Sequence, residues 1–105
     1  MIKKTEKNIN GTSFSFVTFN ASVNDLIRMF GEPTIEDNTG DDKCNFDWHL
    51  ETGDGDVFTI YDWKEYRKLN IDETIEWHIG SFSWEVADKA RTQISEIFNS
   101  DYKYE

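Results

Sequence analysis

The sequence predicts a two-layer α+β domain, with an antiparallel sheet of about four strands in the order β-α-β-β-β-α and both helices packed on one of its faces. Three observations lead there. Asp56 to Lys64 is the densest run of β-branched and aromatic residues. It is bounded by Gly53 and Gly55 before it and the charged run Lys64 to Lys68 after it, so it reads as the central strand. The segments Cys44 to Leu50 and Thr74 to Ile79 alternate apolar and polar residues, as half-buried strands do. Two other segments carry one apolar stripe each at helical spacing, which suits a sheet covered on one side.

Length and composition bound the rest. A chain of 105 residues forms one domain, 1–105, and the unpatterned stretches 1–10 and 100–105 are expected to be flexible ends. Eight Phe, four Trp and four Tyr give the core its bulk. One cysteine, Cys44, has no intramolecular partner and falls on the apolar phase of its strand, which predicts a buried thiol and not a nucleophile. The sequence shows no charged leader and no long apolar run, so the expectation is a cytoplasmic protein without a membrane span. The net charge of -10 repels nucleic acid and anionic lipid and favours a partner with a basic surface.

In chain order, Met1 to Asn10 carries Lys3, Lys4 and Lys7 without periodicity and reads as a loose arm or a frayed first strand. Thr12 to Phe19 has Phe14 and Phe16 on one phase and Val17 and Phe19 on the other, which predicts a strand with a phase change or with both faces covered. Val23, Leu26, Ile27 and Phe30 then form one face of a helix. Ser22 and Asp25 stand in capping-box positions, Gly31 supplies a stop, and Pro33 forbids continuation. Glu32 to Lys43, with Glu32, Glu36, Asp37, Asp41 and Asp42, is expected to be an exposed, mobile acidic loop whose spacing does not match a calcium loop. A hairpin loop centred on Asp54 sets Leu50 opposite Phe58 and Trp48 opposite Ile60. The last strand is expected to place Trp77 beside Ile60 and Ile79 beside Phe58. The final helix starts near Ser83, carries Val86, Ala90, Ile94, Ile97 and Phe98 inward, and ends near Asn99.

Those registers define the uncovered face. Its expected rows are His49, Thr59, His78; then Asp47, Tyr61, Glu76; then Asn45, Trp63, Thr74. His49 and His78 with Asp47 or Glu76 raise the question of catalysis or a metal. With strands about 4.8 Å apart, the two imidazoles stand roughly 10 Å apart at Cβ, too far for one zinc ion. No metal, cofactor or catalytic residue is therefore assigned. A second class is a small-ligand or nucleotide site, with Tyr61, Trp63 and Tyr66 stacking a base, Lys64, Arg67 and Lys68 meeting a phosphate, and His49 and His78 nearby. The third class is a protein-binding module. Here Tyr61 and Trp63 are anchors, Asp47 and Glu76 surround them, and Asp37, Asp41 and Asp42 steer a basic partner. An equally physical alternative is that the same face is buried in a homodimer or that the N-terminal arm lies over it.

The Phe-Gly-Glu-Pro turn of Phe30 to Pro33, the segment Phe58 to Lys64 and the Trp-His-Ile-Gly segment Trp77 to Gly80 resemble those of short proteins from tailed phages and their bacterial hosts. The resemblance covers about Leu26 to Ala90. It implies an origin without an assigned chemistry. By analogy, small acidic phage proteins often inhibit host enzymes or defence systems, restriction and CRISPR effectors among them, by occupying a basic surface or by sequestering a signalling nucleotide. The expectation is a non-enzymatic accessory protein that binds and inhibits a host protein, with nucleotide sequestration as the alternative.

Overall fold

The computed structural model describes residues 2–102, in the order β1 (Lys3–Lys4), β2 (Ser13–Ala21), α1 (Val23–Phe30), β3 (Ile35–Glu36), β4 (Phe46–Glu51), β5 (Val57–Tyr61), β6 (Ile75–Ser81) and α2 (Trp84–Tyr102). The class is the α+β one expected, but the antiparallel sheet has six strands, not about four. Its path is β1-β4-β5-β6-β2, and β3 also pairs with β4. The two added strands are two residues long, below the length at which alternation can be read. Of the two readings of the opening residues, a strand is what forms. Lys3 pairs with Glu51, Ile2 is buried, and Lys7 bonds Glu51 at 2.9 Å.

The inward residues of β4, β5 and β6 share one core with the buried stripes of both helices. Leu26 and Ala90 belong to the same cluster as Trp48, Ile60, Trp77 and Ile79. Trp48 and Trp77 are fully buried and meet edge to face, with ring centres 5.6 Å apart. Each also satisfies its indole N–H, without which such burial would be costly. Trp77 Nε1 donates to Ala21 O at 2.8 Å and Trp48 Nε1 to Gly31 O at 2.9 Å, so the two indoles grip the chain just before and just after α1. The helix is capped as its sequence requires. Asp25 N donates to Ser22 Oγ, Ser22 N donates to Asp25 Oδ2, and Gly31 closes the end at φ 83. The last helix runs on to Tyr102, beyond the expected end near Asn99; Met1 and residues 103–105 lie outside the described residues.

The β4–β5 register is the one expected, with Leu50 opposite Phe58 and Trp48 opposite Ile60. The β5–β6 register is not. Ile60 pairs with Ile79 and Phe58 with Ser81, two residues from the expected pairing. Alternation fixes only which face a side chain takes, and a shift of two preserves it. A tight hairpin would have set the register, but the long connection after Tyr61 does not. Gly80 suits the register observed. It sits opposite Thr59, where an added Cβ would lie 2.7 Å from Thr59 Oγ1, so a larger residue there would force Thr59 to move. The expected phase change in β2 is a bulge between Phe14 and Val17, with Phe16 at φ 63.

The central strand ends at Tyr61, short of Lys64, because Asp62 turns inward. Its fully buried carboxylate accepts from the backbone of Asn45 and of Phe46, each at 2.8 Å, in place of a continued ladder. The expected row of Asn45, Trp63 and Thr74 is therefore absent. Asn45 is buried by the same network, and this breaks the alternation that had placed Cys44 inside. Cys44 stands half-buried before β4.

Candidate partner-binding face

The face away from the helices is built by Asp47 and His49 of β4, Thr59 and Tyr61 of β5, and His78 of β6. With the register as it stands, Asp47, Tyr61, His78 and Thr18 form one row, while Thr59 lies between His49 and Gly80. The two histidines are thus in different rows. Glu76 pairs with Asn20 instead of facing Tyr61. His78 remains 4.0 Å from Glu76, and His49 is 3.3 Å from Asp47 Oδ2. Among the described residues, no group of three or more His, Cys, Asp or Glu is placed to hold a metal ion.

Moving His78 into the row of Tyr61 makes an aromatic ladder. Trp63 meets Tyr61 edge-on with ring centres 6.1 Å apart, Tyr61 lies 5.7 Å from His78, His78 lies 4.5 Å from Phe14, and Phe14 lies 5.2 Å from Phe16. Both ends are open to water: Trp63 is 39% and Phe16 86% exposed. The sequence pointed to Tyr61 and Trp63 but not to Phe14 and Phe16. The overlooked signal was the double apolar phase of Thr12 to Phe19, one half of which has to face outward.

The neighbouring charges fall into two groups. Lys43 and Lys64 lie over the Trp63 ring at 5.8 and 5.4 Å. Arg67 is forked onto Glu73 at 2.7 and 2.8 Å and reaches Glu65 at 3.5 Å, so one of the three cations expected to meet a phosphate is already bound to carboxylates. Tyr66 and Lys68 are exposed. The acidic loop is exposed at Asp37, Asp41 and Asp42, yet it is tied down and not free. Asp37 N donates to Asn45 O at 2.7 Å, Gly40 N to Asn45 Oδ1 at 3.0 Å, and Leu69 N to Asn38 Oδ1 at 2.7 Å. Gly40, at φ 84, lies so close to Arg67 that a Cβ would come within 2.6 Å of its Cα.

Cys44, Asp47, Thr59, Tyr61 and Gly80 line a cleft of about 230 Å³ beside the ladder. Burial, then Asp62, Asp47 and Asp42, push the Cys44 thiol up to about 11, which removes the thiolate at neutral pH. Burial also raises Asp47, against the opposing pull of His49, and it raises Tyr61, with Cys44 and Asp47 adding to the effect. Comparison of the chain with known protein families, curated proteins and solved structures finds no match in any of the three.

Proposed function

We propose that this chain is a non-enzymatic, phage-type accessory protein that binds and inhibits a host protein, such as a defence or nucleic-acid-processing enzyme, through its acidic, aromatic-bearing surface. The observation that carries this reading is the ladder from Trp63 through Tyr61, His78 and Phe14 to Phe16, which crosses the face that the helices leave uncovered and ends at the β2 edge, where Phe16 also borders Trp84, Asp88 and Arg91 of α2. Rings at the centre of an interface supply most of its binding energy, and surrounding charges set the encounter rate. The backbone at Phe16 supports the same reading. Holding a non-glycine residue at φ 63 costs about 1 kcal/mol or more, and here the strain presents a ring that is 86% exposed. The nucleotide reading is weaker because Arg67 is committed to Glu73 and Lys64 lies against Trp63.

The test is capture of a partner from host lysate, followed by the salt dependence of the complex with the isolated partner. A protein that binds less tightly as salt rises, and that releases on Trp63→Ala, supports the reading. A nucleotide recovered in equimolar amount from the purified chain contradicts it.

A further inference from the structure

The cleft beside the ladder has a chemistry of its own. Its volume of about 230 Å³ is below the roughly 300–1,000 Å³ of sites that enclose a whole small molecule, and it suits a single side-chain head group. Each of its side-chain oxygens can accept a hydrogen bond, the Asp47 carboxylate and the hydroxyls of Thr12, Ser13, Thr59 and Tyr61, the hydroxyls being able to donate as well; Ile9 and the Cys44 thiol complete the side-chain lining, which holds no lysine or arginine. Thr12 Oγ1 already donates to Ile9 O at 2.8 Å, which leaves its oxygen to accept. Asp47 Oδ1 is buried without a hydrogen-bond partner, while Oδ2 has only the 3.3 Å contact with His49. The terminal torsion of an aspartate is soft, so turning the carboxylate offers either oxygen to a donor. Gly80 keeps the floor low: a Cβ there would lie 2.7 Å from Thr59 Oγ1 and 3.3 Å from Tyr61 Cε1.

A flat group that brings several N–H donors, carries positive charge and lies against a tyrosine ring would match the unpartnered Asp47 oxygen and the acceptor oxygens beside it. Guanidinium has these properties; ammonium is a compact point charge, and phosphate has the wrong sign. The chain's net charge of -10 would draw such a group in. We infer that the cleft formed by Asp47, Thr59, Tyr61 and Gly80 receives the guanidinium of an arginine side chain of the partner protein, an assignment that rests on the partner-binding reading.

The test is an amide-NMR titration of the full chain with N-acetyl-arginine N-methylamide, its citrulline counterpart of the same shape without charge, and its lysine counterpart. The arginine probe should shift the amides of Asp47, Thr59, Tyr61 and Gly80 and bind at least about tenfold more tightly than either counterpart. Asp47→Asn should weaken it about tenfold, whereas Glu6→Gln, which removes the same charge from an exposed position outside the cleft, should leave it within about twofold. Absent or scattered shifts, citrulline or lysine equal to arginine, or equal losses in the two variants would each overturn the assignment. The citrulline comparison needs no variant, so it decides even if Asp47→Asn unfolds. If the probe leaves the cleft unmoved while Trp63→Ala still releases the partner, the cleft assignment falls and the aromatic face stands.

Discussion

Replacing Asp62 with Ala should be among the most damaging single changes to this fold. The carboxylate is fully buried and accepts from three donor groups: Asn45 N at 2.8 and 3.0 Å, Phe46 N at 2.8 Å, and Asn45 Nδ2 at 3.1 Å. A buried donor left without a partner costs about 1–3 kcal/mol, and the relief from no longer burying the carboxylate offsets part of the sum. The expected loss is about 3–5 kcal/mol, a large share of the roughly 5–15 kcal/mol that holds a domain together. Asp62→Asn keeps one acceptor oxygen and should cost about 2 kcal/mol. Urea unfolding followed by tryptophan fluorescence measures both. Amide exchange should also quicken at Asp37 and Gly40 in Asp62→Asn, because Asn45, which holds both amides, loses its own anchor. A loss below about 1 kcal/mol for Asp62→Ala would refute the view that this carboxylate replaces the end of the β4–β5 ladder.

Three other outcomes follow from the geometry. Trp48→Ala empties a fully buried site and frees the carbonyl of Gly31, so unfolding should show a loss of about 3–5 kcal/mol; under about 1 kcal/mol would mean that the strand faces are misassigned. Asp47 is an acid whose folded pKa is raised, so its contribution to stability is fully present below the ordinary value of about 3.9 and is lost as pH rises through the folded value. Asp47→Asn should therefore be more stable than the parent at neutral pH, with the gain disappearing below about pH 4, and a less stable variant at neutral pH would contradict this. Cys44, pushed up to about 11, should hold about two-hundredfold less thiolate at pH 8 than an ordinary thiol of pKa about 8.5, and because a more basic thiolate is the better nucleophile it should react with a neutral alkylating reagent about twentyfold more slowly, a ratio that a timed mass measurement checks directly.

Much of this architecture was legible because short-range chemistry wrote it. Ser22, Asp25, Gly31 and Pro33 delimit α1 through local hydrogen bonds and backbone preference, and the glycine-containing loop around Asp54 fixes the β4–β5 pairing. The long connection from Asp62 to Thr74 carries no such constraint, and the β5–β6 register was lost there. That one shift decided the candidate face: it moved His78 beside Tyr61 and let the ring of Phe14 join the ladder. The Asp62–Asn45 network was invisible for a different reason. A buried carboxylate held by backbone amides has no periodic signature, and its neighbours Tyr61 and Trp63 made the whole segment read as continuous strand.

The most direct test of the central claim is the binding kinetics of the captured partner with two variants. Trp63→Ala should speed dissociation, at a cost of about 2 kcal/mol or more, because a ladder ring holds the complex once it has formed. Neutralising Asp37, Asp41 and Asp42 together should chiefly slow association, with the difference shrinking at high salt as screening shortens to about 3 Å. If Trp63→Ala folds normally and dissociates like the parent, the aromatic face is not the interface. If it instead turns a dimer into a monomer, the ladder is a contact between copies of this chain.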